Sequence, residues 1–252
     1  DTVFHLAALI GIPYSYYSPL AYIRTNIEGT YNILQSAREC RLSNVIVTST
    51  SETYGTAQYV PIDEKHPSVG QSPYAASKVA ADQLAISFHR SFGLPVKIAR
   101  PFNTYGPRQS ARAIIPTIIT QLLNDHQELK LGNLNPTRDF TYAGDTARGM
   151  LAIARSDKLI GEVINIGKNT EISIGDLVRL LSELTNKQIK IIQDEQRVRP
   201  DHSEVERLVC NNSKIRQATD WQPKTDMRAG LRDTIEFIDK NLNLYKAEIY
   251  NV

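Results

Sequence analysis

Short apolar runs alternate with helical stripes along this chain. Val45-Ile46-Val47 is unbroken and apolar, the pattern of a parallel strand buried on both faces. Asp1 to Leu6, Pro95 to Ala99 and Glu162 to Ile166 read as further strands. Helical spacing predicts a helix through Tyr22, Ile27, Tyr31, Leu34 and Ala37 to Cys40. A second helix begins with Ser72 as N-cap and Pro73 at its first position, and Gly93 ends it. Others are predicted over Ile114 to Leu123, from Ser173 to near Asn186, and over about Met227 to Asn241. Gly11 to Pro19 reads as a loop, and Leu129 to Tyr142 as a hairpin with polar turn residues. Pro61 to Pro67 reads as a polar loop with Glu64 and His66 at the surface.

The chain has 252 residues, enough for one large α/β domain or two coupled smaller ones. A formal net charge of +2 gives no reason to expect nucleic acid or a membrane surface as partner. No apolar run is long enough for a membrane span, and no signal peptide opens the chain. Cys40 and Cys210 have no metal-ligand spacing and read as reduced thiols of a cytoplasmic protein; no metal is expected.

Candidate chemistry concentrates after Val47. Thr48, Ser49, Thr50, Ser51 and Glu52 stand at the carboxyl end of that strand, where open α/β sheets place their ligands. Tyr74 and Lys78 lie four residues apart at the start of the next helix, on one face. A phenol ionises near pH 10, too high for a base at neutral pH. An ammonium one turn away is expected to bring Tyr74 down and favour its phenolate. Such a group takes a proton from an alcohol while hydride leaves the same carbon. By itself this spacing more often marks a half-buried Tyr over a solvated Lys.

With Thr50-Ser51-Glu52 upstream and the Arg100 to Arg108 block (R-P-F-N-T-Y-G-P-R) downstream, the chain resembles the extended short-chain dehydrogenase/reductases, in their nucleotide-sugar epimerase/dehydratase branch. The resemblance implies a Rossmann-type doubly wound parallel sheet with a small α/β substrate domain, and NAD as cofactor. Residues 1–107 would be the NAD-binding part, lacking its first strands and Gly-rich turn. Residues 108–252 would mainly bind substrate, with about 139–168 returning to the Rossmann part. No two of the 13 glycines form G-x-G or G-x-x-G, so residues 1–252 alone are expected to bind NAD weakly or not at all. Thr50, Ser51, Glu52, Tyr74 and Lys78 are the implied catalytic set. Leu6, Ala7, Ala8, Asn26, Thr48, Tyr74, Lys78 and Pro101 would line the cofactor. Asn103, Ile114, Arg138 and Arg199 would meet the substrate, with Arg197 in reserve for Arg199; the two arginines would grip its diphosphate through paired donors. Family members pair the helices near 22–40 and 72–92 in a homodimer.

Thr-Ser-Glu distinguishes reactions within the branch. Epimerases carry a small residue in place of Glu52, whereas 4,6-dehydratases need a carboxylate to remove the C5 hydrogen. The stretches Ala8 to Tyr16 and Gln71 to Lys78 resemble dehydratases acting on nucleotide-linked N-acetylglucosamine in legionaminic-acid-type pathways. UDP-glucuronate decarboxylases also carry Thr-Ser-Glu and remain an alternative, as does a 4-epimerase. A catalytically idle nucleotide-sugar or dinucleotide sensor is the non-enzyme alternative.

Overall fold

A computed structural model describes residues 1–124, 128–197 and 203–245. In chain order its elements begin with β1 (Thr2–His5), α1 (Ile12–Tyr17) and α2 (Pro19–Tyr22), then a π-helical stretch (Ile23–Glu28) leading into α3 (Gly29–Glu39). There follow β2 (Asn44–Thr48), a 3-10 turn (Ser51–Tyr54), α4 (Pro73–Phe92), β3 (Val96–Pro101), β4 (Asn103–Tyr105) and α5 (Ile114–Leu123). The remainder contains β5 (Glu128–Leu131), β6 (Thr137–Arg138), β7 (Phe140–Tyr142), α6 (Ala143–Arg155), β8 (Val163–Ile166), β9 (Ile172–Ser173) and α7 (Ile174–Thr185). Last come β10 (Lys190–Gln193), β11 (Arg207–Leu208), α8 (Ser213–Ala218) and α9 (Met227–Lys240).

The central sheet is parallel, in the order β1-β2-β3-β8. Val45 and Val47 of β2 face a cluster with Leu34 of α3 and Ala85 and Phe88 of α4. Ile46 points the other way, into a cluster with Ile153 of α6, Ile164, Ile166 and Trp221. Both faces are covered, so β2 reads as an uninterrupted apolar run, and the sheet is Rossmann-like. A separate core gathers α5, α7 and α9 through Ile115, Ile119, Leu177, Leu181 and Leu231.

Helix ends follow local chemistry. Ser72 accepts the Ala75 N–H at 3.1 Å, and Gly93 closes α4 in the left-handed region at φ 68°. A cap of the Ser72 kind contributes about 1 kcal/mol. Ser173 caps α7 in the same way at 3.0 Å, and Asn186 ends it with φ 53°.

Three local expectations are corrected. Gly11 to Pro19 is not an open loop, because Ile12–Tyr17 is helical. Pro13 sits in the first turn, where no N–H is needed, and Ile12 and Ser15 are buried. The hairpin over Leu129–Tyr142 does not form. β5 pairs in parallel with β10, while β6 lies between β11 and β9. Alternate burial of Leu129 and Leu131 takes β5 into the α5–α7–α9 core, away from β6. His66 is buried, its ring edge-on to Tyr54 at 5.4 Å, and the Asn165 N–H donates to Glu64 Oε1 at 2.9 Å. Composition placed both at the surface, but distant segments cover them.

Candidate active site

The carboxyl end of β2 carries the site. The β2 backbone runs out into Ser49 and Thr50, and the 3-10 turn then presents Ser51 and Glu52. Thr50 opens this turn, its Oγ1 accepting the Glu52 N–H at 3.3 Å. Helix α4 lies alongside. Tyr74 hydrogen-bonds Thr50 through its hydroxyl, and Lys78 Nζ donates to the Thr48 carbonyl at 2.7 Å. The sequence-predicted residues Thr48, Thr50, Glu52, Tyr74 and Lys78 are thus gathered at one strand end. Ser51 is on the same turn with its side chain buried.

The expected effect of Lys78 on Tyr74 is corrected. Burial pushes the Tyr74 phenol well above its ordinary value; the Thr50 hydrogen bond opposes this, while Glu52, Asp82 and Tyr22 add to it. Lys78 is itself drawn down by burial, with Asp82 opposing, and its ammonium is committed to the Thr48 carbonyl.

β1 ends beside β2, His5 opposite Val47, and Leu6, Ala7 and Ala8 follow directly from that strand end. Leu6 is 61% exposed there. Asn26 stands in the π-helical stretch and is buried. Its side chain accepts from the Leu9 N–H at 2.8 Å and donates to the Leu9 carbonyl at 3.0 Å and Ser77 Oγ at 2.9 Å. Asn26 therefore pins the segment after β1 to the Tyr/Lys helix. Pro101 and Asn103 flank the end of β3, and Asn103 Oδ1 is buried without a hydrogen-bond partner among the described residues.

Arg138 is buried in β6, and Asn103 pairs with Phe140 two residues beyond it. The Arg138 guanidinium donates to the Thr137 carbonyl at 2.9 Å and to Glu204 Oε1 at 3.4 Å. Ser203, beside Glu204, hydrogen-bonds Tyr16 at 2.7 Å and donates to the Gln71 carbonyl at 2.8 Å. One segment thereby ties β6 to the entry of α4. Ile114 is the first residue of α5, packed against the α5–α7–α9 core. Arg197 pairs with Asp194 at 3.1 Å; Arg199 lies outside the described residues.

The family profile described as GDP-mannose 4,6 dehydratase matches residues 1–234. The chain belongs to this family. Within it, a Streptomyces griseus dTDP-glucose 4,6-dehydratase is 32% identical over 244 residues, covering 96% of this chain and 72% of the relative. A Bacillus cereus UDP-glucuronic acid 4-epimerase, solved with UDP-glucuronic acid and NAD, superposes with a TM-score of 0.89 at 30% identity, covering 96% of this chain and 76% of that one. A Streptomyces venezuelae dTDP-glucose 4,6-dehydratase solved with NAD gives 0.89 at 28% identity, covering 98% and 75%. Both dehydratases, which are lyases, and 4-epimerases therefore stand among the similar members of this NAD-dependent nucleotide-sugar family.

Several contacts around this family site escaped sequence reading. Ser49 Oγ donates to Asp82 Oδ2 at 2.6 Å, and Arg100 Nη2 donates to the same oxygen at 2.7 Å. The Arg100 guanidinium also lies over the Tyr54 ring, 4.5 Å from its centre. Tyr54 in turn donates to Asn165 Oδ1 at 2.8 Å. Removing one partner from such a buried ion pair typically costs about 3–5 kcal/mol. A signal for Asp82 was available, since Tyr74, Lys78 and Asp82 repeat at intervals of four along α4. His5 was also missed; it hydrogen-bonds Thr30 Oγ1 at 3.1 Å, and burial and then the Lys78 charge hold its pKa down. A separate cavity of about 590 Å³ lies between α6 and Trp221, and no sequence-predicted site residue lines it. Among the described residues no His/Cys/Asp/Glu group is arranged to hold a metal, and no helix is long and apolar enough to cross a membrane.

Proposed function

We propose that this protein is an NAD-dependent nucleotide-sugar 4,6-dehydratase, with nucleotide-linked N-acetylglucosamine as its substrate. The observation that carries the reaction type is Glu52, in the turn that Thr50 caps and close enough for its charge to act on Tyr74. A 4-epimerase has no use for a second base beside the Tyr. The N-acetylglucosamine assignment is supported by the likeness of Ala8 to Tyr16 and Gln71 to Lys78 to dehydratases of that class.

The strand ends fit a dinucleotide. Leu6 and Ala7 are exposed at the end of β1, and Thr48 Oγ1 is buried without a hydrogen-bond partner among the described residues. With Ala8, whose segment Asn26 pins, and with Lys78 and Pro101, these residues would hold NAD, which when bound accepts a hydride from the sugar and later returns it. Residues 1–107 together with about 139–168 would form the cofactor side, and the remainder the substrate side.

In this mechanism Tyr74, acting as the phenolate, takes the C4 hydroxyl proton as the C4 hydrogen leaves as hydride, with Thr50 hydrogen-bonded at the same oxygen. The new C4 ketone acidifies the C5 hydrogen, and Glu52 removes that proton. The C6 oxygen departs as water, taking a proton from the now protonated Glu52, with Ser51 on the same turn. Hydride then adds to C6, and C5 takes up a proton while Tyr74 releases the C4 hydroxyl proton to solvent, restoring the phenolate. One water is lost, the 4-keto-6-deoxy sugar is formed, and no external redox partner is consumed. Arg138 and Arg199 would grip the diphosphate. We further propose a cytoplasmic homodimer formed through the helices near 22–40 and 72–92; the dimer is supported by Tyr31 and Phe92, each about half exposed on these helices.

The test is to incubate the protein with NAD⁺ and UDP- or GDP-N-acetylglucosamine and weigh the sugar. Loss of one water supports the proposal; an isomer of unchanged mass would make it an epimerase. Loss of carbon dioxide from UDP-glucuronate would make it a decarboxylase. No conversion with retained ligand binding would favour the idle sensor. Separately, Arg138→Ala is expected to weaken nucleotide-sugar binding about 10- to 100-fold, the loss of one bidentate charged contact, with NAD binding little changed. Calorimetry with each ligand checks this, and equal weakening of both would remove the diphosphate role.

A further inference from the structure

Three consecutive turns of α4 each place a side chain on the segment leaving β2. Tyr74 reaches Thr50, Lys78 reaches the Thr48 carbonyl, and Asp82 accepts from Ser49 at 2.6 Å. Asp82 is 1% exposed and Arg100 4%, and they are bonded at 2.7 Å. Arg100 is supplied by β3, the next strand, and its Nε also points at Ser49 Oγ, 3.4 Å away. The other face of the guanidinium meets Tyr54, the last residue of the turn that carries Glu52. One buried cation thus touches the helix of Tyr74, the segment of Thr50 and the turn of Glu52.

We infer that Asp82 and Arg100 are positioning residues, whose buried ion pair holds the Tyr74–Lys78 face of α4 and the Glu52 turn in fixed register and fixes the charge behind them. The inference rests on the proposed role of Tyr74 as the base at C4. Neither residue touches substrate in this scheme; both act through Tyr74, Lys78 and Glu52.

The charges around the pair decide the direction of the test. Tyr74 faces Thr50 and Glu52 from the turn, Tyr22 from α2, and Lys78 and Asp82 from its own helix. Lys78 faces His5 of β1 and the Thr48 carbonyl of β2. Asp82 faces Ser49 and Arg100. The negative charge of Asp82 opposes ionisation of Tyr74, and Arg100 offsets that charge. Asp82→Asn, nearly isosteric, leaves the cation in excess and makes the phenolate easier to form. Arg100→Gln leaves the carboxylate in excess and makes it harder.

The experiment is the pH dependence of hydride transfer in a single turnover of the NAD-loaded protein with nucleotide-linked N-acetylglucosamine, read as NADH absorbance. Asp82→Asn is expected to move the acid limb down by about one pH unit, the effect of one partly screened charge near the base. Arg100→Gln is expected to move it up by about as much, and the double variant to return it to the wild-type position. Asp82→Glu retains the charge with a longer arm, so it should slow the step with the limb unmoved. A merely structural pair would lower rate and thermal midpoint together in all four variants without opposite displacements. Unmoved limbs in the single variants, or movement in one direction for both, would overturn the inference. Either single variant decides by itself, so failure of the other to fold leaves the test intact. Tyr74→Phe is run alongside. If it still transfers hydride, the proposed base is wrong, a result separate from any outcome at Asp82 or Arg100.

Discussion

Tyr74→Phe is expected to abolish hydride transfer while the protein stays folded and binds its ligands. The change removes one oxygen and leaves the ring, which packs edge-on to Tyr22 with centres 6.2 Å apart. Lys78 keeps its bond to the Thr48 carbonyl, and the remainder of α4 keeps its cap and its core contacts. Only the Thr50 hydroxyl loses a partner. Without the phenol nothing at that position receives the C4 proton, and Lys78 is already occupied. Loss of a general base usually costs about a hundredfold to ten-thousandfold, and here it precedes every later step. NADH absorbance in a single turnover, with nucleotide-sugar affinity measured in parallel, is the check. Normal absorbance from the Phe variant would move the proton acceptor elsewhere.

Glu52→Gln should separate the two halves of the reaction. The amide keeps the shape of the side chain and cannot accept the C5 proton. Bound NAD⁺ should still be reduced by the sugar, because Tyr74, Lys78 and Thr50 are intact. Loss of the Glu52 charge also removes one influence that holds the Tyr74 phenol up, so reduction should be no slower than in the wild type. Release of the 4-keto-6-deoxy product should then fall about a hundredfold to ten-thousandfold, and reduced cofactor should accumulate. Solvent deuterium incorporation at C5 reads the step directly. Wild-type incorporation in this variant would exclude Glu52 as the C5 base and move that role to another residue.

These expectations draw on features that the sequence displayed unevenly. The limits of α4 were legible because Ser72, Pro73 and Gly93 act on their own neighbours. The same holds for α5, whose apolar run needs no distant partner to be recognised, and for the Ser173 cap of α7. The hairpin over Leu129–Tyr142 failed because β5 takes its partner from β10, a pairing that local patterning does not encode. At the site, Tyr74 and Lys78 were visible through their spacing. The real acceptor of Lys78 was not, since a backbone carbonyl carries no residue signature. The Tyr74 expectation erred for a related reason. It counted the neighbouring cation but not burial, which is the largest influence on the phenol.

Asn26 has a consequence for natural variation in this chain. Its amide satisfies both backbone groups of Leu9 and the Ser77 hydroxyl, so it is matched simultaneously to three points on two separate segments. Asp at the same place would lose the donors, and Gln would carry them too far. No single compensating change at Leu9 is available, because the groups being held belong to the main chain. Drift at this position is therefore closed almost as firmly as at a reacting residue. Across descendants of this chain, an unchanging Asn26 would record the join between two segments, and invariance there should not be mistaken for contact with the sugar.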